Sequence, residues 1–177
     1  MKSDEILLRA PEPDDLGVMY LFENNTDVWI YSETNRPYSK FTLAEYIKTA
    51  HDDIYTARQL RFVIEKRSVD GSSKTIGFVD LYDFDPQHRR AGVGILIGDE
   101  SERRRGFALA TLKMLNDYAF NTLHIHQLYC IIENSNISSI SLFQKAGYVK
   151  SCVLKDWILR KGEWQPATMM QLISPVG

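Results

Sequence analysis

Apolar residues alternate along some stretches of this chain and recur every three or four positions along others. Leu60, Phe62 and Ile64 fall on one side of QLRFVIEKR, and Ile76, Phe78 and Val79 are the expected buried positions of KTIGFVDLYDFD. That period of two predicts strands. AGVGILIG, HQLYCIIE, YVKSCVLKDWIL and MMQLI read as further strands, and another begins at Ile6 to Leu8. Helical spacing occurs at Leu16, Met19, Tyr20 and Glu23, and again at Leu43, Tyr46, Ile47 and Ala50. It returns across ALATLKMLNDYAFNTL and in ISSISLFQKA. Asp14 and Asp15 favour a helix start. Thr42 and Glu45 form a capping-box pattern, and VDGSSK is a hairpin turn by composition. DVWIYSETNRPYSKF has no clean period and predicts a loop.

The resulting order is β-α-α-β-β-β-α-β-α-β-β. Three consecutive strands predict an antiparallel meander, and the strand–helix–strand that follows predicts a crossover. The expected fold is mixed α/β (α+β), a single domain over residues 1–177. Its central sheet is mostly antiparallel, with about seven strands flanked by four helices.

Length and composition narrow the class. The chain has 177 residues, 44% hydrophobic and 25% charged, which suits one globular core. A net charge of −2 argues against a nucleic-acid partner. No apolar run approaches the roughly 20 residues of a membrane span, and the start MKSDEILLRAPEPDD does not read as a signal peptide. A cytoplasmic protein with no membrane partner is expected. Cys130 and Cys152 lie in apolar strand segments and are expected as reduced, mostly buried thiols. Two Cys and four scattered His show no ligand-type spacing, so no metal is expected.

The chemistry concentrates at residues 91–123. A strand is followed by DESERRRGFA and then a helix. A helix N-terminus offers unpaired N–H groups and a positive dipole end, which suits phosphate. Gly106 allows close backbone approach. Arg103, Arg104 and Arg105 sit where a polyphosphate would lie, with Phe107 and Ala108 opening the helix. An exposed charged loop before a helix would look the same. A second element, ENSNISSISLFQKAGY, follows a strand about thirty residues on. Its Asn136 can cap the next helix or bond an amide-containing ligand.

Taken together, these elements resemble the GCN5-related N-acetyltransferase (GNAT) family. Arg103-x-x-Gly106-x-Ala108 resembles its pyrophosphate motif, [QR]-x-x-G-x-[GA]. Residues 134–148 resemble its second motif, N-x-x-[AS]-I-x-[LI]-[YF]-x-k-x-G-[FY]. RPYSKF, RFVIE, IGFVDLYDFDPQHRRA and RKGEWQ resemble the branch containing ribosomal-protein and polyamine acetyltransferases, the spermidine enzymes in particular. The resemblance implies transfer of an acetyl group from acetyl-CoA to a primary amine. It implies a splayed fourth and fifth strand with the pantetheine arm between them. Ile95, Leu96 and Ile97 would then be backbone partners of the arm. Arg103 to Ala108 would form the pyrophosphate loop, and Asn136 and Phe143 would lie on the cofactor side. The branch is often oligomeric, so a homo-oligomer is an expectation as well.

Two positions depart from the family. Its usual acid, a tyrosine in the second motif, is matched here by Phe143, which has no proton to give. An acidic residue found on the fourth strand of some polyamine enzymes is matched by Gly92. Tyr148, Tyr129, Ser141 or a water remain as candidate acids, Tyr148 first among them. Asp80, on the face opposite Leu81, is the candidate base through water. Glu33 and Asp83 are candidate ligands of a cationic substrate, and Trp29, Tyr31, Tyr38 and Tyr82 could flank a cation. Asp83 and Asp85 also read as exposed turn acids. His88, His124 and His126 read as scaffold. The expected acceptor is a polyamine or diamine. The alternatives are a protein N-terminus, an amino sugar, or an acetyl-CoA-binding protein with little activity.

Overall fold

The structure, a computed structural model, describes residues 1, 5–29, 34, 36–50, 52–68 and 70–175. Where apolar residues alternate, the chain is extended. Among the described residues seven strands result: β1 (Ile6–Arg9), β2 (Leu60–Arg67), β3 (Ser73–Asp85), β4 (Arg90–Ile97), β5 (Gln127–Glu133), β6 (Val149–Arg160) and β7 (Glu163–Ile173). They form one sheet in the order β1-β2-β3-β4-β5-β7-β6. Every neighbouring pair is antiparallel except β4 and β5.

Among the described residues the helices are α1 (Leu16–Glu23), α2 (Thr26–Trp29), α3 (Lys40–Thr49), α4 (Ile54–Ala57), α5 (Phe107–Asn121) and α6 (Ile137–Lys145). The longer four are those that the spacing predicts. The other two are single turns of four residues, too short to register as a period, and α2 lies inside the expected loop. The start of α3 also differs from expectation. Ser39, not Thr42, is its N-cap, accepting the Thr42 N–H at 3.0 Å. Thr42 and Glu45 therefore lie within the first two turns.

The sheet is covered on both faces. Phe78 and Val63 pack with Met19 of α1 and with Leu43 and Ile47 of α3. Val79, Leu81, Ala91 and Val93 pack with Leu112 and Leu115 of α5 and Ile140 of α6. Successive residues such as Phe78 and Val79 thus serve opposite layers, as the pleat requires. The entry to α1 is fixed by charge. Asp15, 4% exposed, takes two hydrogen bonds from Arg9 at 2.6 and 2.8 Å and one from the Glu12 N–H at 2.8 Å.

At the far edge, among the described residues, β6 pairs only with β7, and its register breaks twice. Val149, Val153, Trp157 and Leu159 are exposed along it. So is Cys152, against the expectation of two mostly buried thiols, because an edge strand with no helix over this stretch leaves the side chain to solvent. Cys130 is buried, and burial pushes its thiol up to about 12 while a Met170 backbone hydrogen bond pulls the other way. No helix among the described residues is long and apolar enough to cross a membrane. No group of three His, Cys, Asp or Glu among them could hold a metal ion.

Candidate active site

Where β4 and β5 meet, the sheet is only half closed. Their parallel ladder contains Arg90↔Gln127, Ala91↔Leu128 and Gly92↔Tyr129, and then stops. Beyond that point, among the described residues, β4 continues through Ile97 paired to β3 alone, while β5 continues through Glu133 paired to β7 alone. Val93 to Ile97 thus present one backbone edge to a wedge-shaped gap. Ile95, Leu96 and Ile97, expected to hold an extended ligand arm by their backbone, all lie on this edge.

The wide end of the gap leads to α5. A short 3-10 turn at Glu100–Glu102 and the arginine loop connect β4 to it. Gly106 is the N-cap residue at φ 90°, in the left-handed region that glycine tolerates, and a Cβ there would meet nothing within 4 Å. No side chain among the described residues caps the helix, so its first N–H groups are open to a ligand. The three arginines are not equivalent. Arg103 donates from Nε to the Ile97 carbonyl at 2.9 Å and pairs with Glu100 at 3.1 Å. Arg105 pairs with the buried Glu102 at 2.7 Å and lies over the Phe107 ring. Arg104, exposed and at φ 61°, has no ion-pair partner among the described residues. Phe107 is 4% exposed, so it can offer a ligand its N–H but not its ring. Ala108 keeps the first turn narrow beside it.

Asn136 caps α6: its Oδ1 accepts from the Ser139 N–H at 3.1 Å and from the Ser138 hydroxyl at 3.0 Å. The amide NH2 remains as the group with which it could donate to a ligand. Phe143 is 3% exposed, packed edge-on against Tyr148 with ring centroids 5.0 Å apart. Its side chain is therefore core and does not line the gap surface. Tyr148 is 2% exposed and donates its hydroxyl to Asn116 Oδ1 at 3.0 Å. Burial, the largest influence, holds its phenol well above the ordinary 10.0.

Asp80 is half-buried and engaged. Arg61, its direct partner on β2, grips both carboxylate oxygens and also pairs with Glu23 at the end of α1. Burial alone would lower the Arg61 pKa, but Asp80 and Glu23 outweigh it and keep the guanidinium charged. Arg61 was missed from sequence, since a cross-strand partner leaves no local signal. Two carboxylates on one guanidinium leave a net negative charge on this face. Asp83 is exposed at φ 48° in a bulge, where Asp83 and Phe84 oppose Ala91. It is close enough to act on Tyr129, whose phenol is raised first by burial and then by Asp83. Glu33 and Tyr31 lie outside the described residues. His88 and His124 are exposed, and the His88 N–H donates to Asp85 at 3.0 Å.

The comparisons with known proteins agree with this geometry. Residues 5–149 match the family model described as acetyltransferase (GNAT) domain. The spermidine N(1)-acetyltransferase of Vibrio cholerae is 28% identical over 171 residues, covering 97% of this chain and 94% of that protein. The Escherichia coli K12 enzyme of the same name is 29% identical over 165 residues, covering 93% and 84%. The crystal structure of the Vibrio cholerae spermidine N-acetyltransferase in complex with CoA and spermine superposes with a TM-score of 0.82 at 27% identity, covering 97% of each chain. A dodecameric structure of the Vibrio cholerae enzyme superposes at 0.78 with 28% identity, covering 97% of this chain and 95% of that one. The half-open β4–β5 pair, the uncapped α5 and the match over most of its length show that this chain belongs to the GNAT family of acetyl-CoA-dependent N-acetyltransferases.

Proposed function

We propose that this enzyme acetylates a polyamine or diamine, such as spermidine. Acetyl-CoA supplies the activated acetyl thioester. The residues present fit it. An extended amide chain can add to the open edge of β4 as a strand would. From Val93 to Ile97 that edge runs for about 16 Å at roughly 3.3 Å per residue, long enough for a pantetheine arm. The N–H groups opening α5 and the Arg104 guanidinium suit the pyrophosphate. Backbone N–H groups of β4, Ile95 among them, would hold the carbonyl oxygen as charge builds on it.

One observation carries the choice of amine: the face of the sheet that bears Tyr82 and Asp80 is negative. Among the described residues Glu23 and Asp80 share Arg61, and Asp83 stands exposed beyond them, while the nearby Arg90 is paired with Asp85. A cation with several amines spaced along it gains from carboxylates at several points. Likeness to the spermidine enzymes supports the same reading. Steady-state turnover of spermidine, putrescine, an N-terminal peptide and an amino sugar tests it. The highest kcat/KM should fall to spermidine, and a preference for the peptide or the sugar defeats it. Self-association belongs to the same proposal, supported by the dodecameric relative and by the exposed Val153, Trp157 and Leu159 of β6. A monomer by sedimentation would remove that part. A cytoplasmic location fits such a substrate.

A further inference from the structure

The narrow end of the gap is roofed by a side chain from a different strand. Tyr82 of β3 is the register partner of Gly92, and Asp80 of Gly94. A Cβ at Gly92 would lie 2.3 Å from Tyr82 Cε2 and 2.4 Å from Cζ, and one at Gly94 would lie 3.8 Å from Cε1. The Tyr82 ring therefore crosses β4 itself, filling the volume that a side chain at position 92 would occupy. It meets Tyr129 edge-on, centroids 6.1 Å apart at 77°. Tyr129 is the β5 partner of Gly92, at the last rung of the ladder before the strands part. Two phenols, from β3 and β5, thus converge over the fork. Tyr148 packs from the opposite side of the sheet. Its phenol is raised mainly by burial, yet Cys130 and Tyr82 add to the effect.

We propose that the Tyr82 hydroxyl is the proton donor to the departing sulfur, delivered from β3 across Gly92. An arm laid along β4 from the arginine loop runs toward this fork, where the closing ladder stops it. The thioester end then arrives beneath the Tyr82 ring. Three other groups are less suited. Phe143 has no proton, the Tyr148 hydroxyl is given to Asn116, and Asp80 is held by Arg61. In the transfer the amine lone pair forms the C–N bond, and the C–S bond breaks with its electron pair going to sulfur. The Tyr82 proton passes to sulfur to give the thiol of CoA. The proton shed by nitrogen goes to water, and water returns one to the Tyr82 oxygen. Atoms and charge balance without a further reactant.

The test is Tyr82→Phe, which keeps the ring and removes the proton. With the best amine substrate, kcat should fall about 10²-fold or more, as for other lost general acids, while KM for acetyl-CoA and the melting temperature hold. A second reading needs no turnover. CoA bound to the wild type should ionise at lower pH than CoA bound to the variant, followed by thiolate absorbance, since a hydroxyl donor favours the sulfur anion. Gly92→Ala must push the ring off the fork and should reproduce the kcat loss with the phenol still present. Equal kcat in wild type and Tyr82→Phe overturns the proposal. So does a fall in kcat with no change in the titration of bound CoA, which would mark Tyr82 as a packing residue. A wild-type protein that turns over no amine defeats the role too, but by removing the activity itself. Wild-type turnover with another amine leaves the role standing and removes only spermidine as substrate.

Discussion

Arg61 holds Asp80 through two hydrogen bonds, Nε to Oδ1 at 2.6 Å and Nη2 to Oδ2 at 3.0 Å, straight across the β2–β3 pair. Such a grip sets what Asp80 can do. It is a tether between strands and a share of the negative face before it is a free base. The side chains are 20% and 25% exposed, between the surface and buried cases. Asp80→Asn should therefore lower stability by about 2 kcal/mol, against about 0–1 for exposed pairs and 3–5 for buried ones. In denaturant-unfolding experiments, Arg61→Met should lose more, since it leaves both Asp80 and Glu23 unpaired. Kinetics separate the two roles for Asp80. As part of the charged face, its loss raises KM for the amine, with kcat within about tenfold of wild type. As the base it would lower kcat by about 10²–10⁴-fold.

Tyr148 poses the same question with a different answer expected. Its hydroxyl and Asn116 satisfy each other in the core, with Asn116 reaching on to the Ala146 carbonyl at 3.4 Å. Tyr148→Phe leaves a buried acceptor without its donor, which costs about 1–3 kcal/mol. Thermal or denaturant unfolding should show that loss, while kcat of the folded enzyme stays at the wild-type level. A large fall in kcat with unchanged stability would restore Tyr148 as the acid.

Gly106→Glu places a carboxylate at the mouth of α5, where a pyrophosphate would sit, and also forces a side chain into the left-handed region. Acetyl-CoA affinity should drop at least 100-fold, about 2.7 kcal/mol. Calorimetric titration reads it directly. Unchanged affinity would take the loop out of the cofactor site.

Acid sensitivity should trace in part to Asp15. Burial would raise its pKa, but the Arg9 hydrogen bonds, the Glu12 N–H and the Arg9 charge outweigh burial and hold it below the ordinary 3.8. The folded state thus binds the proton more weakly than the unfolded chain. The stabilisation is full above the unfolded value of about 3.9 and is lost as pH falls through the lower folded value. Unfolding free energies measured from pH 6 downward should decline less steeply for Asp15→Asn than for the wild type, from a lower starting value. Equal slopes would remove Asp15 from the acid response.

The succession of strands along the chain and the four longer helices could be read from it because a half-buried strand or helix repeats its pattern over many residues. Leu60, Phe62 and Ile64 announce β2 without help from any other element. The arginine loop was legible for a related reason: strand, Gly106 and helix follow one another directly. What escaped depended on neighbours distant in sequence. Nothing around Arg61 points to Asp80 nineteen positions on. Gly92 reads as a missing carboxylate until the Tyr82 ring is seen lying over it. Cys152 looks like a core residue until its strand proves to be the sheet's last. Thr42 looks like a cap in the sequence, and only the extended backbone at Ser39 and its bond to the Thr42 N–H put the helix start three residues earlier.

The half-open ladder between β4 and β5 would tie the durability of the fold to the supply of acetyl-CoA. A cofactor arm laid along that edge would act as a removable further strand, present only in the folded protein. Mass action then adds about 2.7 kcal/mol at a ligand concentration 100 times Kd, and almost nothing when ligand is scarce. Resistance to unfolding and to proteases would rise and fall with acetyl-CoA supply, independently of whether any amine is at hand.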